Sequence, residues 1–139
     1  MEFNLDRFLD AHRQSYDAAL REISSGRKLT HWMWFIFPQL KGLGRSETAL
    51  YYGIENIAEA EAYLAHEVLG KHLVEISEAL LSVENKSANA VFGYPDDLKL
   101  HSSMTLFSQV QNSNPVFRKV LDNYFNGADD GKTMSLLKQ

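Results

Sequence analysis

Cysteine is absent from the 139 residues, which excludes disulfide scaffolds, thiolate zinc sites, iron–sulfur clusters and cysteine nucleophiles together. Proline is scarce, at three residues, and glycine is held to eight, so collagen-like and Pro/Gly-rich disordered chains do not fit. No stretch approaches the ~18 uninterrupted apolar residues of a membrane span. The start, Met1-Glu2-Phe3-Asn4-Leu5-Asp6-Arg7, holds no apolar signal core, so a cytoplasmic protein without a membrane partner is the expectation. What remains is a chain 45% hydrophobic and 23% charged. That suits a single compact domain over residues 1–139, long enough to bury roughly two thirds of its unfolded surface without disulfides or a structural metal.

Positive charge is also scarce, but unevenly so. Residues 1–45 carry seven Lys/Arg against five acids, and residues 46–139 carry seven against thirteen, which together make the net charge of −4. This balance argues against the broad basic surface that duplex nucleic acid requires. Arg27, Lys28, Lys41 and Arg45 nevertheless flank an aromatic run, which allows a local anion site. Ordinary solvated charges would give the same pattern.

Along the chain, apolar spacing is helical. Leu5, Phe8, Leu9, His12, Tyr16, Ala19, Leu20 and Ile23 fall on one face, with Asn4 to cap and Gly26 to end the helix. Trp32-Met33-Trp34-Phe35-Ile36-Phe37-Pro38 is apolar throughout and too short for periodicity to separate a buried strand from a buried helical turn. A glycine-containing loop follows, and Ser46 caps a short helix through Tyr51 or Tyr52. Asn56 with Glu59 suggests a reciprocal cap. The next register, through Leu69, His72, Leu73, Ile76 and Leu80, is the clearest amphipathic stretch. Ser87 caps a turn closed by Gly93, Pro95-Asp96-Asp97 opens another helix, Asn114-Pro115 opens the next, and Gly127 ends it. A last helix from about Thr133 to Leu137 would dock by Met134 and Leu137. No alternating strands are present, so the expected fold is all-α with six to eight short helices.

Familiar cofactor signatures are missing. Gly42-Leu43-Gly44-Arg45-Ser46 lacks the third glycine of a dinucleotide fold and the Lys-Ser/Thr ending of a P-loop. It has the makings of a small anion nest, with Arg45 and Ser46 as ligands. A plain interhelical turn would use the same glycines. The five histidines show no i, i+4 pair, and His72 with Glu75 leaves a metal short of ligands, so neither a metal nor a cofactor is expected. His31, beside Trp32, is the candidate acid–base residue because an imidazole titrates near neutral pH. In the aromatic run, Trp34 could stack on a planar ligand and Gln39 hydrogen-bond it, although core packing needs the same side chains. Asp96-Asp97-Leu98-Lys99-Leu100-His101-Ser102-Ser103-Met104-Thr105 is the densest polar cluster. Its hydroxyls sit mid-helix, where propensity does not favour them. Asp97 could orient a ligand or a catalytic imidazole, with Lys99, Ser102 and Ser103 as further ligands. The structural counterpart is a capped helix whose hydroxyls bond back to the preceding turn.

Lys28 through Ser46, then Glu59-Ala60-Glu61-Ala62-Tyr63-Leu64, Leu69-Gly70, Phe92 through Lys99, and Ser102 through Phe107 together resemble the domain-of-unknown-function family 1810. The resemblance runs in order over nearly the whole chain. It implies a small, mainly helical domain and brings no established catalytic residue. The label calpastatin, sometimes attached to this family, does not suit a compact domain, since such inhibitor repeats are disordered until bound. His101 departs from the arginine the resemblance leads one to expect, which would make any anion contact there weaker and pH-dependent. The resulting expectation is a small anionic or nucleotide-like ligand in a pocket formed by the aromatic run, the glycine loop and the Asp-Asp-x-Lys-x-x-Ser-Ser segment. The alternative is a protein-interaction or regulatory module without catalytic activity.

Overall fold

The computed structural model describes residues 3–139. Met1 and Glu2, part of the stretch read above for a signal core, lie outside the described residues. The fold is all-α. In chain order the helices are α1 Asp6–Ser24, α2 Met33–Ile36, α3 Glu47–Tyr52, α4 Ile57–Ala65, α5 Leu69–Leu81, α6 Ala88–Phe92, α7 Asp96–Ser108, α8 Val116–Phe125 and α9 Gly131–Leu137. Six have seven residues or more, and α2, α3 and α6 are shorter pieces. None is long and apolar enough to cross a membrane.

Local chemistry accounts for most boundaries. Asn4 accepts from the Asp6 amide, and α1 buries Phe8, His12, Tyr16, Ala19, Glu22 and Ile23 on one face. Its exit is a left-handed turn at Gly26, φ +83°, with Gly26 N–H donating to Ile23 O and Arg27 N–H to Glu22 O. That pairing satisfies two end carbonyls, and glycine adopts the required φ without a Cβ penalty. Ser46, Asn56, Ser87 and Asp130 each accept a backbone N–H three residues on. Glu59 differs from the expected reciprocal cap, because its carboxylate takes the Glu55 amide rather than that of Asn56 and also pairs with Arg7 at 3.2 Å. In α9, Thr133 is buried and Leu136 and Leu137 pack on the core, while Met134 is only half-buried.

The aromatic run becomes a single buried helical turn. Trp32, Met33, Phe35, Ile36 and Phe37 all join the core, around which α1 packs on α5, α5 on α8, and α8 on α7. The start of the glycine loop is tied to the chain just after α3, where Lys41 N–H donates to Ile54 O and Ile54 N–H to Gln39 O.

Helices α4 and α5 meet so closely that a Cβ on Gly70 would lie 2.1 Å from the Leu64 carbonyl oxygen. Backbone cannot yield as a flexible side chain does. Gly70→Ala is therefore expected to cost about 2–3 kcal/mol or more by forcing the two helices apart, read as a lowered urea midpoint with an unchanged slope.

Candidate functional site

The polar end of the aromatic run is organised by two lysines sharing one carboxylate. Lys28 Nζ lies 2.9 Å from Asp96 Oδ2, donates to Thr30 O at 2.6 Å and sits 5.0 Å over the Trp32 ring. Lys99 Nζ lies 3.6 Å from Asp96 Oδ1 and 5.0 Å over Trp34. Asp96 and Lys99 occupy neighbouring positions at i, i+3 on the first turn of α7, where a carboxylate is favoured by the helix dipole. Beneath them, Glu22 accepts from Leu29 N–H at 2.7 Å, Thr30 N–H at 2.9 Å, the Thr30 hydroxyl at 2.6 Å and Trp32 Nε1–H at 2.9 Å. Burial alone would push this carboxyl up, but the bonds from Thr30, Leu29 and Trp32 outweigh it and hold its pKa at about 2.

Three of the residues singled out from the sequence come together. Trp34, Gln39 and Lys99 line one crevice with Met33, Phe37, Ala49, Tyr52 and Gly53, and its free volume is about 10 Å³, the room of one water. Arg45 instead lines a separate open hollow of about 660 Å³ with Gly42, Leu43, Gly131, Lys132, Ser135 and Leu136. Gly44 connects the two places, since a Cβ there would lie 3.3 Å from Gln39 Nε2.

The remaining candidates line neither place. The Ser46 hydroxyl accepts from Ala49 N–H. Ser102 donates toward Leu98 O at 3.1 Å and Asp130 Oδ2 at 3.3 Å, and so ties α7 to the cap of α9. Ser103 is buried with no partner for its hydroxyl among the described residues. Asp97 accepts from Asn89 Nδ2 at 3.3 Å and from Leu98 N–H. His31 is exposed. His101 is occupied by Ala128 O at 2.7 Å and by a stack on Phe125 at 4.2 Å.

A second cluster was not assembled from the sequence, because its members lie 60 residues apart. His12 on α1 and His72 on α5 meet Nδ1 to Nδ1 at 2.9 Å. Their rings are parallel within 1° with centroids 5.2 Å apart, so they meet edge to edge rather than face to face. Tyr16 covers the face of His72 at 3.6 Å, and its hydroxyl donates to Glu75 Oε1 and to His72 O. His12 Nε2 lies 2.8 Å from Phe35 O and 3.2 Å from the Tyr63 hydroxyl, which itself reaches Phe35 O. Burial drives the His12 pKa down to about 4, against the raising effect of the Phe35 carbonyl bond and with a further push from His72 and His66. Burial also lowers His72, opposed by Glu75 and Asp17 and aided by Lys71. Tyr16 is raised by burial and by Glu75, and Tyr63 by burial. The one signal available in the sequence was that both histidines fall on buried helical faces.

Comparison with known proteins matches this whole architecture. A solved structure, the conserved hypothetical protein Rv1873 from Mycobacterium tuberculosis, is 45% identical, with 99% of this chain and 98% of that chain covered and a TM-score of 0.96. No protein of curated function matches. The family model "Protein of unknown function (DUF1810)" matches residues 2–137, and the chain belongs to that family.

Proposed function

We propose that the protein binds a small anionic, nucleotide-like ligand at the glycine loop. The observation that carries this reading is a hollow lined by Arg45 and Lys132 and by no carboxylate, with neither cation held in an ion pair among the described residues. Two unneutralised cations in a concave surface favour an anion, and arginine suits phosphate or carboxylate through paired N–H donors. Ser135 adds a hydroxyl. The adjoining crevice of Trp34, Gln39 and Lys99 supplies an indole face, an amide and an ammonium for a planar group. Its present volume of about 10 Å³ admits such a group only after the residues lining it shift.

The expected result is that inorganic phosphate and ADP both raise the melting temperature. Ligand at a hundred times its Kd stabilises by about 2.7 kcal/mol. Arg45→Ala and Lys132→Ala, both at exposed positions, should abolish both responses at unchanged basal stability. Lys99→Ala should weaken the response to ADP while sparing that to phosphate. No shift with either ligand would remove this reading in favour of an interaction module. That second reading is supported by Leu29, Tyr94 and Leu98, which stand exposed around the salt-bridged Lys28 and Asp96.

A further inference from the structure

A cleft of about 660 Å³ lies between α4, α5 and the connection from α7 to α8, and it shares no residue with the hollow at Arg45. Its apolar lining is made by Val110 and Phe117, both buried, and by Leu64 and Val74, both half-buried. Three carboxylates stand exposed around it, Glu61 from α4 and Glu75 and Glu78 from α5, against one ammonium, that of Lys71. Three against one leaves a net charge of −2 on the lining. None of the four is held in an ion pair among the described residues, and the hydroxyl that Glu75 accepts from Tyr16 does not neutralise it. The backbone adds to this charge. Leu64 and Ala65, the last two residues of α4, also line the cleft, and neither carbonyl accepts a hydrogen bond from the described residues. The His66 amide donates instead to Ala62 O and Tyr63 O, and the Val68 and Leu69 amides donate to His66 Nδ1. Unpaired carbonyls at a helix C-terminus carry partial negative charge and favour a cation.

We propose that this cleft binds a free aliphatic polyamine, with its methylenes on Leu64, Val74, Val110 and Phe117 and its ammonium groups facing the carboxylates and the end of α4. The volume is that of a small-molecule site, in which an apolar lining supplies area and a few polar groups fix orientation. A neutral apolar compound would leave the carboxylates unanswered. A compact inorganic cation would leave the apolar lining unused, and among the described residues no three His, Cys, Asp or Glu side chains gather to hold one. Because the carboxylates are spread over two helices, they suit separated charges rather than one. A polyamine has that form: each ammonium offers charge-assisted N–H bonds to a carboxylate or carbonyl, and the CH₂ groups between them gain by leaving water. Lys71 opposes binding, and its repulsion sets the sign of one test below.

Calorimetric titration with spermidine tests this at about 150 mM NaCl, where attraction between exposed charges is screened beyond about 8 Å. The expected result is one saturable site with a Kd below about 1 mM, and amide shifts in nitrogen-15 spectra confined to the lining of the cleft. Glu61→Gln and Glu78→Gln should each weaken binding about fivefold, and Lys71→Gln should strengthen it by a similar factor, the scale of one charge removed a few ångströms away in a wet cleft. A gain in affinity cannot come from misfolding, so Lys71→Gln decides even where an acidic variant is unstable. No saturation by about 1 mM, or affinity unchanged in all three variants, overturns the proposal. Magnesium chloride supplies two charges without methylenes, and a response equal to that of spermidine overturns it by reducing the site to an acidic surface. Tri-lysine carries the same alkylammonium groups on a peptide. Binding about tenfold tighter than that of spermidine overturns the free polyamine in favour of a basic protein partner.

Discussion

Trp32→Ala is expected to cost about 5 kcal/mol, and Trp34→Ala only about 1 kcal/mol, although the two rings stand two residues apart. Trp32 is 1% exposed, with Phe92 edge-on at 6.4 Å and Phe37 at 6.2 Å. Removing a fully buried ring of this size typically costs 3–5 kcal/mol, because the lost transfer energy is joined by a cavity that the surroundings only partly fill. Trp32 also gives its indole N–H to the buried Glu22 carboxylate, and losing a charge-assisted bond there adds at least about 1 kcal/mol. The sum approaches the whole stability of an ordinary domain. A melting temperature lower by roughly 15 °C follows for a chain of this length. Trp34 is half-buried and forms one wall of the small crevice, so its removal forfeits less packing and acts on ADP binding instead. Urea melts of both variants, run beside ADP titrations, check the contrast; equal costs would contradict it.

Acid is expected to unfold the protein in two stages. His12 is 4% exposed, and its pKa falls from 6.5 to about 4 on folding. Between these values the unfolded chain takes up a proton that the folded chain refuses. Stability is therefore full above 6.5 and declines as pH drops toward 4, by about 3 kcal/mol at 1.36 kcal/mol per unit. His72, also lowered, acts in the same direction. Glu22 is 9% exposed and is depressed from 4.5 to about 2. Its contribution is complete above 4.5 and is lost as pH falls through 2, another ~3 kcal/mol. Both losses together amount to about 6 kcal/mol, comparable with total stability. Denaturant midpoints from pH 7.5 to 2.5 should show the decline beginning well above the ordinary carboxylate range. His12→Gln should flatten the upper stage and Glu22→Gln the lower. A midpoint constant between pH 7 and 4.5 would contradict the His12 assignment.

The helical framework was legible because its cues are local. Gly26, Ser46, Ser87 and Asn114 each act on an amide or a φ angle within a few residues, and the helices begin or end beside them. The buried face of α5 follows from spacing alone. The aromatic run could not be assigned in the same way, since seven consecutive apolar residues suit a strand and a helical turn equally. Its conformation follows from the core closing over Trp32 and Phe37 while α7 brings Asp96 and Lys99 to its polar edge. Trp34, Gln39 and Lys99 were named from residue type, and the fold does bring them to one crevice. Asp96 and Glu22 organise that corner, yet in the sequence Asp96 reads only as a helix-entry carboxylate and nothing singles out Glu22. What distinguishes them is burial and the partners Lys28, Thr30 and Trp32, none of which sequence spacing reveals.

Composition and periodicity by themselves determined an all-α domain, the positions of most helix ends and the buried faces of the longest helices, because propensity, capping and amphipathic spacing act over one or two turns. The tertiary structure alone decided which polar groups are desolvated together. It joined His12 to His72 across 60 positions, shared Asp96 between two lysines, and left Arg45 and Lys132 in a common hollow without an ion pair among the described residues. Chemistry at such places depends on distances of about 3 Å and on the exclusion of water. Both are set only when helices distant in the chain pack against one another.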